Sequence, residues 1–196
     1  MNRQDFVNLI QTSVQNPRQA AREILALQLP VPVLWNAALL VVILSVLLSY
    51  VTLAGAGDGS MVLQLGGTPI GITLLSGGSM VFLIFGLFWT GRMLGGRGDL
   101  TDFIAIVVWI QFLWLLAQVL QTILLVLSPA LAALFGFAAL IYGLWMLIQF
   151  VTEAHQFKSA LIGTATLVLS ALGVTLGLSI LLGMIGVTAL GIENYV

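Results

Sequence analysis

The stretch FLIFGLFWTGRMLGGRGDLTDFIAIVVWIQFLWLLAQVLQ, residues 82–121, decides the fold. It joins two apolar runs through a short turn that carries Arg92, Arg97, Asp99 and Asp102. The run before the turn, residues 70–94, and the run after it, 103–127, both exceed the roughly 20 apolar residues that cross a hydrocarbon core of about 30 Å. The turn is therefore a hairpin between two membrane spans. Once its side of the membrane is fixed, every other segment follows.

Composition agrees with that reading. The chain is 60% hydrophobic and 7% charged, against about 25% charged in soluble domains, and its mean hydropathy is +1.15. Six Lys plus Arg stand against seven Asp plus Glu. No basic field exists to attract nucleic acid. The absence of cysteine excludes disulfides, thiolate metal sites and thiol catalysis. Residues 1–29 are polar and amphipathic, so no cleavable signal is expected, and the first span should serve as an uncleaved anchor.

The fold class that follows is all-α and polytopic, with five transmembrane helices behind N-terminal amphipathic helices. Residues 1–32 form the N-terminal region. Phe6, Leu9, Ile10 and Val14 recur at spacings of three and four, with Arg3, Gln4, Asp5, Asn8 and Gln11 elsewhere on the wheel. Asn16-Pro17 reads as a cap followed by proline at the first helical position, opening a second short helix through Ala20, Ala21, Ile24 and Leu25. These helices either form a collar on the membrane surface or dock on the protein's own spans. Leu29-Pro30-Val31-Pro32 blocks continuous helix and delivers the chain into the bilayer.

The transmembrane domain, residues 33–190, divides into spans at about 33–54, 70–94, 103–127, 130–151 and 160–190. A glycine-rich connection with Asp58 follows span one, and Thr68-Pro69 repeats the cap-then-proline device before span two. Asp99 and Asp102 stand at the start of span three, where negative charge suits a helix N-terminus. Ser128-Pro129 starts span four, Ser159 caps span five, and residues 191–196 form a short tail. With the N-terminus in the cytoplasm, all six basic residues fall on that side, as the positive-inside rule requires of short loops. The expected placement is a bacterial inner membrane, with the C-terminus outside.

Two rows of small residues mark helix faces. Gly163, Thr166, Ser170, Gly173 and Gly177 share one face of span five, and Ala132, Gly136, Ala139 and Gly143 share one face of span four. Membrane helices associate along such faces by close backbone approach, so spans four and five are expected to cross tightly. A homodimer face or a flexible gate is the alternative. Span three is the polar one: Gln111, Gln118 and Gln121 lie roughly on one side. Unpaired amides in hydrocarbon are costly, and partners such as Asn36, Ser45, Ser79 or Ser170 are expected. The sharper reading, a polar path for a solute, meets the lack of an ionisable residue near mid-membrane.

By this topology Arg92, Arg97, Asp99, Asp102, Glu153, His155 and Lys158 share the cytoplasmic rim. They read as a contact patch whose members tie the helix ends together in an ion-pair lattice. A metal or acid–base site is the alternative, with His155 and Glu153 facing Asp99 and Asp102. Glu153-x-His155 lacks the same-face spacing of a helical metal pair, and the chain has one His. No catalytic residue, cofactor or metal is assigned.

The order of parts resembles the Yip family, the Ypt/Rab-interacting proteins that share the Yip-one domain. The resemblance lies in Asn16-Pro17 followed by Ala20-Ala21, the Leu29-Pro30 break, the Gly95-Gly96-Arg97-Gly98 turn with its acidic and Thr continuation, and five spans. The chain lacks the Asp-Leu-Tyr-Gly-Pro motif of the eukaryotic branch. Val108-Trp109-Ile110-Gln111 replaces that branch's Gly-Tyr element. Those motifs are tied to Rab binding, so vesicle traffic is not carried over. The chain is more similar to the short bacterial members, which implies an integral inner-membrane protein and supplies no catalytic residue. The expected function is a non-enzymatic membrane scaffold or adapter that contacts the lipid bilayer and other membrane proteins or itself. A transporter or channel, or an accessory subunit of one, with a path along span three is the alternative.

Overall fold

Polar caps and prolines set where each helix begins. In the computed structural model, which describes residues 2–55 and 69–189, the Asn2 side chain accepts the Arg3 N–H and Asp5 reaches back to the Asn2 N–H, opening α1 (Arg3–Gln15). Asn16 accepts the Gln19 N–H at 3.3 Å, and Pro17 takes the first position of α2 (Pro17–Ala26). Gln28, at φ 43°, turns the chain out of α2. Helix α3 (Val31–Gly55) then starts two residues earlier than the prolines suggest. Pro32 sits in its first turn, where a missing N–H breaks no bond.

Four further helices follow: α4 (Pro69–Met93), α5 (Leu100–Leu127), α6 (Pro129–Ala154) and α7 (Ala160–Ala189). Helix α5 begins three residues before the expected start of its span because the Asp99 N–H bonds the Asp102 carboxylate at 3.0 Å and holds the first turn. Ser128 and Ser159 act as expected, accepting the Leu131 and Leu161 N–H groups. The connection containing Asp58 and the 191–196 tail lie outside the described residues. Stretches within α3 to α7 are each long and apolar enough to cross a membrane, with mean hydropathies from 1.8 to 2.5. The chain is an all-α, multi-pass membrane protein.

Helix α5 is the central post. It packs against α6 most extensively, then against α3, and at its start also against α4 and α2. Residues 103–108 are consequently all buried, on every side of the helix. Leu39, Leu47, Val51, Leu74, Val126, Leu134 and Leu172 stay exposed on the outside, as lipid-facing side chains do.

The small-residue rows pack differently from expectation. A Cβ on Gly143 would stand 2.6 Å from the Trp114 ring, and one on Gly136 would stand 2.5 Å from Gln121 Nε2. The face of span four thus receives span three rather than span five. The bulky side chains that fill a glycine notch lie on α5. The row on α7 is divided. Gly163 meets Thr152 of α6, whose Oγ1 would be 2.1 Å from an added Cβ. Buried Ser170 instead meets α4, its hydroxyl 2.5 Å from Thr90 Oγ1, with Gly86 opposite. Thr166 is buried on the same side and its carbonyl accepts from Thr90 Oγ1 at 3.4 Å. Gly173 and Gly177 have nothing within 4 Å of an added Cβ.

Candidate functional site

The end of the bundle where α4 runs out, α5 begins and α6 runs out carries Arg92, Arg97, Asp99, Asp102, Glu153 and Lys158. Both outgoing helices finish with the same hydrogen-bond pattern. In α4 the Gly96 N–H bonds the Gly91 carbonyl at 2.8 Å and the Gly95 N–H bonds Arg92 at 3.0 Å, with Gly95 at φ 88°. In α6 the Phe157 N–H bonds Thr152 at 2.9 Å and the Gln156 N–H bonds Glu153 at 3.0 Å, with Gln156 at φ 57°. Such paired bonds around a left-handed residue are how helices satisfy their last carbonyls. The Arg97 N–H donates to the His155 carbonyl at 3.2 Å and ties the two ends together.

His155 fills the space between them. It is 1% exposed. Its Nε2–H donates to the Leu87 carbonyl at 3.0 Å, and its ring lies 4.3 Å from Phe103 and 4.9 Å from Phe157 between centroids. The slot exists because two positions lack a side chain: an added Cβ would stand 1.7 Å from Nε2 at Gly91 and 2.2 Å from Nδ1 at Gly96. Gly98 is also tightly enclosed, since an added Cβ there would stand 2.5 Å from the Ala154 carbonyl oxygen. Burial holds the imidazole below its usual range, and Arg92 adds to that. The Leu87 bond and Asp102 oppose it without overcoming it. Burial thus favours the neutral ring, and its buried Nδ1 has no hydrogen-bond partner among the described residues.

The expected ion-pair lattice does not form. Among the described residues no two of Arg92, Arg97, Asp99, Asp102, Glu153, His155 and Lys158 pair within 4 Å; Glu153 pairs with Arg22 of α2 at 3.3 Å. The reason is geometric. Asp102 is held by its capping bond, Arg92 lies over the Phe88 ring at 5.3 Å, and Arg97 and Lys158 point to solvent. His155 also leaves the expected contact patch, because it is interior. Among the described residues no three His, Asp or Glu side chains converge as metal ligands.

The N-terminal helices dock on the protein's own spans. Trp109 Nε1 donates to Ser13 Oγ at 2.9 Å, and Ser13 donates on to the Leu9 carbonyl at 2.7 Å. Arg18 Nε donates to Gln149 at 2.6 Å, the Tyr142 hydroxyl donates to the Val14 carbonyl, and the Phe6 ring meets Trp109 edge-on at 5.6 Å. Leu9, Ala20, Ala21 and Ile24 belong to the same buried cluster as Phe103 and Ile106.

Span three's glutamines separate in role. Gln118 Nε2 donates to Ser49 Oγ at 2.8 Å and to the Ser45 carbonyl at 3.3 Å, in keeping with the expected interhelical bonding. Gln121 reaches the Ala132 carbonyl at 3.5 Å, and Thr52 and Thr122 share a 2.9 Å contact. These groups border a crevice of about 420 Å³ between α3, α5 and α6, at the end away from the charges. Gln111 is half-buried near Trp109 and makes no side-chain hydrogen bond within the described residues.

Leu87, Gly91, Gly96, Gly98, Phe103 and Phe157 escaped sequence reasoning as parts of this junction. The one available signal was a lone His beside a helix end and a nearby turn with three glycines. No curated protein and no solved structure matches the chain. A family model described as the Yip1 domain matches residues 12–184. That stretch runs from within α1 to within α7, through both helix ends and the His155 slot, and the chain belongs to the Yip1-domain family.

Proposed function

We propose that this protein is a membrane scaffold or adapter, acting without chemistry of its own by presenting one charged end of a tightly locked bundle to other membrane proteins or to a second copy of itself. The observation that carries this is a division of labour among polar groups. Within the bundle, Gln118, Thr52, Thr90, Ser170 and His155 are engaged between helices. At the end, Arg92, Arg97, Asp99 and Lys158 are exposed and form no ion pair among the described residues. Exposed charges on a fixed framework suit recognition, where complementarity supplies specificity and association rate. A catalytic role for His155 is disfavoured because Gly91, Gly96, Phe103 and Phe157 enclose the ring. The proposed placement is an inner membrane with the charged end in the cytoplasm, supported by the positive-inside rule.

Purification in mild detergent with quantitative cross-linking tests the proposal. A stoichiometric partner or homo-oligomer is expected, lost on combining Arg92→Glu, Arg97→Glu and Lys158→Glu. A wild-type monomer with no associated protein overturns it. A second reading, a transporter or accessory subunit, is favoured by the polar crevice beside Gln118. Solute flux in proteoliposomes that disappears in Gln118→Leu would support that reading instead.

A further inference from the structure

Beneath α1 lies a groove of about 530 Å³, lined almost wholly by apolar side chains of α1, α5 and α6. Its size falls within the roughly 300–1,000 Å³ of sites that hold small molecules. Ile10 and Val14 roof it, and its recess exists because Ala117, Ala138 and Ala139 stand where larger residues would fill it.

Depth identifies the occupant. Trp109, against which Phe6 rests, is about 27 Å from the Leu127 end of α5 at 1.5 Å per residue, close to the full thickness of a hydrocarbon core of about 30 Å. Tyr142, bonded to the Val14 carbonyl, is about 20 Å from the start of α6 on the same measure. Helix α1, with both Phe6 and Ser13 against Trp109, therefore lies near the headgroup boundary, as interfacial amphipathic helices do. The groove continues below it to Leu120 and Phe135, about 10 Å above that same end. This is the layer of acyl chains, where an apolar recess holds hydrocarbon rather than water. The polar end of such an occupant meets a cation. Arg3 precedes Ile10 by two turns and shares its helix face, stands one turn before Phe6, which rests on Trp109, is exposed, and has no ion-pair partner among the described residues.

We propose that the groove holds one glycerophospholipid, its acyl chain beneath Ile10 and Val14 and its phosphate at Arg3. A chain in this recess touches protein on several sides, whereas a chain on a convex helix face touches it on one, so this lipid exchanges more slowly than its neighbours. The site depends on α1 remaining docked, which ties the N-terminal helices to lipid as well as to the spans.

Native mass spectrometry of the full chain in mild detergent, supplied with palmitoyl-oleoyl phosphatidylglycerol or the matching phosphatidylcholine, tests this. Wild type is expected to retain one phospholipid. Ala138→Phe should lose the one-lipid peak, and Leu172→Phe on the outer face of α7 should keep it. Arg3→Gln should abolish any preference for the anionic lipid while leaving the chain site occupied. Equal retention by wild type and Ala138→Phe overturns the proposal, as does retention that follows only the statistical background. Should Ala138→Phe fail to fold, a phospholipid with a diazirine in its acyl chain decides on the wild-type protein. Cross-links on Leu113, Leu120 and Phe135 support the site, and cross-links spread evenly over all outer faces refute it.

Discussion

Placing a methyl group on Gly91 tests the junction at its tightest point. In Gly91→Ala the new Cβ would stand 1.7 Å from His155 Nε2 and 2.3 Å from Cδ2, so the imidazole must leave or α4 must move. Expelling the ring breaks the bond to the Leu87 carbonyl, about 1 kcal/mol, and forfeits its packing between Phe103 and Phe157. Forced repacking of a filled interior typically costs about 1–3 kcal/mol. Gly91→Ala should therefore destabilise by about 3 kcal/mol in wild type. His155→Ala alone empties the slot and should cost a similar amount, about 2–4 kcal/mol by analogy with other large-to-small changes. In the His155→Ala background, however, the added methyl enters vacated space and replaces glycine by a better helix former, a gain of up to about 1 kcal/mol. Denaturation of the four proteins in one detergent should give a coupling of at least about 2 kcal/mol, of the sign that makes the double variant more stable than the sum. Additivity within about 0.5 kcal/mol would refute the claim that Gly91 exists to admit this ring.

The same ring predicts a pH dependence. Because the folded-state pKa of His155 is lowered, the unfolded chain takes up the proton first as pH falls. Stability is thus complete above the unfolded value of about 6.5 and declines below it by up to about 1.4 kcal/mol per pH unit, until the lowered folded value is reached. Melting temperatures from pH 8 downward should show this slope in wild type and lose it in His155→Gln. Gln118→Leu removes the links to Ser45 and Ser49 and should cost about 0.6 kcal/mol, the average for bonds between membrane helices, and no more than about 1.7 kcal/mol, in a denaturant titration. Glu153→Gln weakens the Arg22 pair, whose side chains are 61% and 25% exposed, and should shift stability by less than about 1 kcal/mol in the same titration. Gly143→Leu must displace the Trp114 ring and should alter tryptophan emission while costing about 1–3 kcal/mol.

What sequence could and could not reveal follows from the range of each interaction. The starts of α2 and α6 were legible because a cap and its partner lie within three residues, as with Asn16 and Gln19 or Ser128 and Leu131, whereas Asp99 and Asp102 marked α5 without fixing its first residue. The spans were legible from run length alone. The choice between a surface collar and docked N-terminal helices was not, since it rests on Trp109 finding Ser13 and Tyr142 finding Val14 across the fold. His155 misled for a related reason. Neighbours in sequence placed it beside carboxylates at a rim, whereas the ring turns inward toward Leu87. Only the pairing of two helix ends exposes the two glycines that make room for it.

The small-residue faces carry more information than their composition suggests. Gly136 and Gly143 are seven positions apart, and so are Trp114 and Gln121, the side chains that enter those notches in antiparallel order. Sliding α6 along α5 by one turn would withdraw both side chains from their glycines at once and drive them onto positions that carry a Cβ. The error is about 5.4 Å, far beyond what side-chain adjustment absorbs. One register is therefore selected by two simultaneous fits. At the charged end His155 enters its own pair of glycines on α4 and the following turn, so α4, α5 and α6 are indexed to one another along their length. In a bilayer, apolar burial gives little reason for one helix neighbour over another. A glycine that admits one particular bulky side chain supplies that reason, and this bundle uses it at two seams.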